Sequence, residues 1–258
     1  MAQAPARRRS RLIIALALAI VVALALFAVA RSGRGGANDA DRRVLLFTTL
    51  PILWPETARI GDALNPGAPT HWALAVLRET GEVRAIDALA TEGGGAAIGQ
   101  AHLLVMAQPR ALSGQENVAL DAWVRAGGRV LLFADPMLTA GSAYAIGDPR
   151  RAQDIAMLSP ILHRWGLDLT FDDTQTPGER MAQVAGGPMP VNLAGQFVPV
   201  GAAGATCTIR DAGLVARCGI GKGMVLAVAD AAVLENAPAG GQMLRRAALR
   251  RLLAEAGP

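Results

Sequence analysis

The segment from His102 to Pro136 constrains the fold more than any other part of the chain. Leu103-Leu104-Val105-Met106-Ala107 is a short, unalternating apolar run stopped by Gln108-Pro109-Arg110, the pattern of a strand covered on both faces. Ser113 followed three residues later by Glu116 predicts a capped helix start, and Val118, Leu120, Trp123 and Val124 supply an apolar stripe at helical spacing before Gly127-Gly128 ends it. Val130 to Ala134 is a second buried strand, closed at Asp135-Pro136 because proline cannot continue a central ladder. Strands joined by so compact a crossover run parallel, with a right-handed connection.

The same pattern extends on both sides. Arg43 to Thr49 predicts a strand ending at Leu50-Pro51, a helix entered at Thr70 carries Trp72, Leu74, Ala75, Val76 and Leu77, and Val83 to Ile86 predicts another short strand. Gly93-Gly94-Gly95 lacks the spacing and the strand-to-helix setting of a phosphate cradle and is a solvated loop. After a surface loop over 139–152, Ile155, Leu158, Ile161, Leu162 and Trp165 predict a helical face that Pro160 interrupts, the alternative being a second helix that starts after Ser159. Leu167 to Phe171 is a strand, whereas 172–189 has no clear pattern. Short β segments follow at 197–200, 206–209 and 214–217, the last two around the turn signal Asp211-Ala212-Gly213. Met224 to Ala229 is a buried strand, and a final helix from Gly241 to Ala256 turns Leu244, Ala248 and Leu252 inward and its arginines outward. The 52% hydrophobic content is ample for one α/β domain over 43–258, while aromatics at 4% argue against a base-stacking nucleic-acid surface.

Before that domain, Leu12 to Ala30 holds 19 residues with no charge, polar side chain, Gly or Pro, about the length that spans a ~30 Å hydrocarbon core. Arg7, Arg8, Arg9 and Arg11 precede the run, so the basic segment 1–11 stays in the cytoplasm and the chain beyond 30 is exported. The expected layout is a single-pass anchor in a bacterial inner membrane at 12–30, a flexible tether at 31–42 and an extracytoplasmic domain. A cleavable signal peptide ending at Ala28-Val29-Ala30 is the alternative, and either reading exports the domain.

Four stretches carry a family resemblance: Leu46 to Pro51, Leu104 to Pro109, Leu120 to Pro136, and Gly221-Lys222-Gly223 leading into Met224 to Asp230. Together they resemble the membrane-anchored, glutamine-amidotransferase-like domains of gliding-motility ABC-transporter auxiliary proteins and related domains of unknown function of the DUF4350 type. The resemblance covers most of 43–256. It implies a flavodoxin-like (class I glutamine-amidotransferase-like) parallel sheet, to which the pattern adds a small C-terminal β-hairpin, and it implies a protein partner in a transporter or envelope complex.

In an open parallel sheet the ligand crevice lies beyond the carboxyl ends of the strands. The polar residues expected there are Thr48, Thr49, Gln108, Arg110, Asp135 and Asp230. Asp135 and Asp230 also suit a plain structural role as loop and helix caps. Amidotransferases of the resembling fold carry a nucleophilic Cys in a strained turn after a central strand. Here that turn falls at Gln108-Pro109-Arg110 and holds no thiol. His71, His102 and His163 have no metal-ligand spacing, Ser113 sits in no G-x-S-x-G elbow, and Gly219 to Gly223 precedes a strand, where a phosphate loop must precede a helix. No catalytic set, metal or cofactor is expected. The favoured function is a non-catalytic binding domain auxiliary to ABC-type transport or envelope assembly. The alternative is an envelope hydrolase or transferase using Asp135, Asp230 or the Thr48-Thr49 pair.

Cys207 and Cys218 are the only cysteines. A two-residue loop at Ala212-Gly213 places them directly opposite each other, close enough to bridge after small adjustment, and an exported location permits oxidation. The other reading is a pair of small buried apolar residues.

Overall fold

The structure is a computed structural model, and it describes residues 43–56, 70–99, 101–237 and 239–257. The basic segment, the apolar run at 12–30 and the tether lie outside the described residues. Among the described residues, no helix is long and apolar enough to cross a membrane.

Seven strands form the central sheet, in chain order β1 (Arg43–Thr48), β2 (Glu82–Ala85), β3 (Leu103–Ala107), β4 (Arg129–Phe133), β9 (Ala205–Arg210), β10 (Val215–Ile220) and β11 (Gly223–Val228). Their lateral order is β2-β1-β3-β4-β11-β10-β9. The pairs from β2 through to β11 are all parallel, and β10 and β9 add antiparallel to that edge. The protein is thus a mixed α/β fold with a parallel-rich sheet. Every residue of β3 and β11 is buried, which is why both read as unbroken apolar runs.

The helices are α1 (Trp72–Arg78), α2 (Gly114–Arg125), α3 (Ser159–Arg164) and α4 (Ala239–Ala256). Right-handed crossovers put α1 and α2 on opposite faces, because β1 to β2 and β3 to β4 step in opposite directions along the sheet. In α2, Ser113 Oγ accepts the Glu116 N–H while the Glu116 carboxylate accepts the Ser113 N–H, a complete capping box.

The sequence expectations need four corrections. Val118 is 68% exposed, and the buried face of α2 is made by Glu116, Ala119, Leu120, Asp121 and Val124. Asp121 can be buried because it accepts from Arg125, Arg164 and the Trp165 indole. No helix forms ahead of Pro160, and Ile155 is exposed; α3 starts at Ser159 with the proline in its first turn, where no N–H bond is lost. The stretch 172–189 is not patternless. It contains most of a hairpin, β6 (Arg180–Val184) with β7 (Gly187–Val191), turned by Ala185 (φ 50°) and Gly186 (φ 77°). Finally, α4 turns Ala248, Leu249, Leu252 and Leu253 inward together with Arg245, which is buried in an ion pair with Glu179, while Leu244 is 40% exposed. The strand predicted near 167 is β5 (Leu167–Thr170); it pairs with β8 (Gln196–Pro199) outside the main sheet.

At the β9–β10 turn, the Leu214 N–H donates to the Asp211 carbonyl around Ala212 (φ 55°) and Gly213 (φ 89°). That two-residue loop sets the register Arg210 with Val215 through to Cys207 with Cys218, and the two cysteines are disulfide-bonded with Cα atoms 4.0 Å apart. The glycine-rich turn into β11 has a packing reason. A β-carbon on Gly223 would collide with the Val124 and Gly128 carbonyl oxygens, and the Lys222 N–H caps the end of α2 at the Arg125 carbonyl.

Candidate functional site: the carboxyl edge of the sheet

The parallel order reverses between β1 and β3, and the loops after β1, β4 and β11 converge at that edge. The turn after β3 is the first thing to build. Gln108 has φ 45°, a left-handed conformation that costs a residue with a side chain about 1–3 kcal/mol unless its surroundings hold it. They do so here. The Gln108 amide donates to the Asp135 and Gln153 carbonyls (3.0 and 2.8 Å), and its side-chain carbonyl accepts the Asp135 N–H (2.8 Å). Its exposure is zero. The strained turn after β3 is therefore formed, and the residue in it is a structural bolt under the 152–154 segment.

The other expected site residues are placed in the same manner. Thr48 Oγ1 donates to the Ala107 carbonyl (2.7 Å) and accepts the Leu50 N–H (2.9 Å), while Thr49 Oγ1 donates to the Gln108 carbonyl and accepts the Gln153 N–H (3.0 Å). Both threonines stitch β1 to β3. Arg110 holds Glu116 with both of its terminal nitrogens, reaches the Asp87 carbonyl and lies over the Phe47 ring at 5.0 Å. That guanidinium, with the Ser113 and Leu89 N–H groups, pulls the Glu116 carboxyl down to about 2.

Asp135 and Asp230 lie two residues beyond the paired Phe133 and Val228, so they stand side by side on one face. Both are fully buried. Asp135 accepts the Met137 and Ala231 N–H groups (2.8 and 3.0 Å), and Asp230 accepts those of Ala232 and Asn192 (2.6 and 2.8 Å). Burial pushes Asp135 up to about 6, and burial reinforced by the neighbouring Asp135 raises Asp230. All four oxygens hold backbone in place, and neither group meets solvent.

Above this sealed layer lies a cavity of about 180 Å³. Leu50, Pro51, Leu138, Ala140 and Leu234 give it apolar walls, and its polar groups are Glu56, His71, Ser142, Arg151, Asp154, Glu235 and Asn236. His71 is uncharged, since burial drops it to about 4. Its Nδ1 caps α1 by accepting the Ala73 N–H, and a bond to the Leu234 backbone partly offsets the burial. Arg151 is tied to Asp154 and to the Tyr144 carbonyl. One Glu56 oxygen accepts from Ser142 Oγ and the Ala143 N–H, and one Glu235 oxygen accepts from Thr139 Oγ1 (2.7 Å). The second oxygen of each of these two glutamates has no hydrogen-bond partner in the described structure. Burial raises the Glu235 carboxyl.

Apart from Leu50, Pro51 and His71, the lining residues belong to no pattern that the sequence offers. The usable signal was positional: Glu56 lies eight residues after the end of β1 at Thr48, and Glu235 seven after the end of β11 at Val228. Among the described residues, no group of three or more His, Cys, Asp or Glu side chains is placed to hold a metal ion.

Comparison with known proteins reaches the family only. No curated protein matches the chain. Among solved structures, it is similar to the exo-β-1,4-mannosidase Op5Man5 from Opitutaceae bacterium strain TAV5 (16% identity, TM-score 0.48, 84% of this chain, 36% of that one). It is also similar to a cold-adapted β-galactosidase from Rahnella sp. R3 (15%, 0.45, 83% and 31%) and to a ThuA-like protein from Bacteroides uniformis (10%, 0.41, 84% and 93%). The chain spans about a third of the length of the two glycosidases. Residues 69–253 match the domain of unknown function DUF4350, and the chain belongs to that family.

Proposed function

We propose that the chain is a non-catalytic binding domain, held by its 12–30 segment at the outer face of a bacterial cytoplasmic membrane, that serves as an auxiliary part of an ABC-type transport or envelope assembly. The order of its five parallel strands is that of flavodoxin-like sheets, whose ligand crevice opens where the order reverses, and this supports the carboxyl edge as the binding place. The observation that carries the non-catalytic reading is Gln108, which sits in the strained turn with every polar side-chain atom bonded to backbone and no access from the crevice. An amidotransferase-like domain that fills its elbow in this way keeps the scaffold and gives up the nucleophile. The alternative hydrolase would need Asp135, Asp230 or the threonine pair to reach a substrate, and each is bonded to backbone. The closed Cys207–Cys218 bridge supports an oxidising compartment.

A photo-crosslinking residue placed at Ile146, on the crevice loop, tests this reading in intact cells, with Val118 on α2 as the control position. An adduct with a transport or envelope component from position 146 and none from 118 is the expected result. Equal adducts from both positions, or adducts with cytoplasmic proteins alone, would overturn it.

A further inference from the structure

Resting on the reading of 12–30 as a membrane anchor, we propose that the amino edge of the sheet lies on the anionic phospholipid headgroups of that membrane. Arg43, Arg78 and Lys222 meet the lipid phosphates, and the carboxyl edge with its crevice is held on the far side.

The two edges of the sheet balance their charges differently. The starts of the parallel strands, the β10–β11 turn and the C-terminal ends of α1, α2 and α4 all lie at the amino edge, where Arg129 bonds to the Ala256 and Gly257 carbonyls and Arg250 pairs with Glu79. The acids on these ends are taken, Glu79 by Arg250, Asp121 by both Arg125 and Arg164, and Glu255 by Arg210. Among the described residues of these ends, Glu82 at the start of β2 is the acid left over. Arg43, Arg78 and Lys222 are exposed, and their side chains have no hydrogen bond or ion pair among the described residues. Arg217 in β10 is a fourth such cation, and burial together with this neighbouring guanidinium holds Arg129 below its ordinary pKa. At the carboxyl edge the arginines are spent, Arg110 on Glu116, Arg150 on Asp148 and Arg151 on Asp154. Unmatched positive charge therefore collects on the amino edge, which orients the domain in the field of a negative surface.

The spacing of these cations selects the occupant. Arg43 starts β1 and Lys222 turns the chain between β10 and β11, so at the usual strand spacing their backbones stand roughly 15 Å apart. Cations that far apart cannot converge on one small anion, whereas a plane of headgroups meets each of them separately. The course of the chain brings this edge to the bilayer. Residues 31–42 reach at most about 40 Å beyond the apolar run, and the chain then enters the domain at Arg43, on the amino edge itself.

The test uses the full chain in nanodiscs of phosphatidylcholine, alone or mixed with phosphatidylglycerol, with a rhodamine acceptor on a trace of the headgroups. A fluorescent non-natural amino acid is placed at Ala254, exposed at the C-terminal end of α4, or at Ile146 on the crevice loop. With phosphatidylglycerol present, energy transfer from position 254 should exceed that from position 146 at least about twofold. That ratio should fall to its value in pure phosphatidylcholine at about 1 M salt, where the screening length is about 3 Å. Arg78→Glu combined with Lys222→Glu should abolish the gain from phosphatidylglycerol while leaving thermal unfolding unchanged, and Glu82→Lys should enlarge it. A ratio that does not respond to phosphatidylglycerol, or that responds equally in the charge-reversed variant, would overturn the proposal. If the chain nevertheless resists alkaline extraction from membranes, the anchor reading stands; release by alkali would overturn both.

Discussion

Two layers of the same sheet edge contain similar residues and use them in opposite ways. The lower layer, Gln108 with Asp135, Asp230 and the two threonines, spends every polar atom on neighbouring backbone and admits no solvent to its glutamine and aspartates. The upper layer, built from the loops after β1, β4 and β11, leaves one oxygen of Glu56 and one of Glu235 without hydrogen-bond partners among the described residues. A carboxylate at a strand end is thus not a functional signal in itself. What separates the two layers is whether backbone N–H groups already occupy the oxygens, since a buried polar group that is fully bonded stabilises the fold and one that is not is left for a ligand.

The contrast can be broken most forcefully at Gln108. Gln108→Ala strands the N–H and carbonyl of Asp135 and the carbonyl of Gln153, so urea unfolding should show a loss on the order of 3–5 kcal/mol. A loss below about 1 kcal/mol would mean that the elbow is open after all. Glu116→Gln comes next, because the amide cannot receive Arg110, Ser113 and Leu89 together; about 2 kcal/mol is expected from the same measurement.

Acidity sharpens the difference further. Asp135 binds its proton more tightly folded, at about 6, than unfolded, near the ordinary carboxyl value. Its contribution is therefore present at the acid end and is lost as the pH rises from about 4 through 6. Wild-type protein should gain roughly 1–2 kcal/mol between pH 7 and pH 5, and Asp135→Asn should flatten that gain. Glu116 acts in the opposite sense at lower pH. Its carboxyl lies near 2, so its stabilisation falls away as the pH drops below about 4. The smallest effect belongs to the upper layer, where Glu56→Gln combined with Glu235→Gln should shift stability by less than about 1 kcal/mol, which calorimetry can read directly.

The contrast also marks how much the sequence discloses. Buried parallel strands announce themselves because both faces demand apolar residues, so β3, β4 and β11 can be read within a residue of their ends. The β9–β10 register follows from a turn that permits one pairing. The β6–β7 hairpin escapes because its turn is Ala185-Gly186 rather than an asparagine- or aspartate-glycine pair, and because Pro188 and Pro190 lie in β7, which carries no central ladder. At the site, the strand-end residues are legible as a location, but their roles depend on partners as far as 104 positions away. Buried Arg245 is hidden for the same reason: an arginine in a helix reads as solvated until Glu179, 66 positions earlier, is seen to meet it.

Among the described residues β9 is one of the two edge strands of the central sheet, with β2 at the other side, and an edge invites other strands to pair with it. Its cysteine bond fixes which residue of β9 faces which residue of β10, so the hairpin cannot slide by a residue and turn Ala216 or Ile220, on the buried face of β10, outward. The bond's value is then partly colloidal. A covalently registered border hairpin keeps its pairing even during local opening, when folding free energy alone does not hold it, and so limits fibrillar self-pairing through a slipped register.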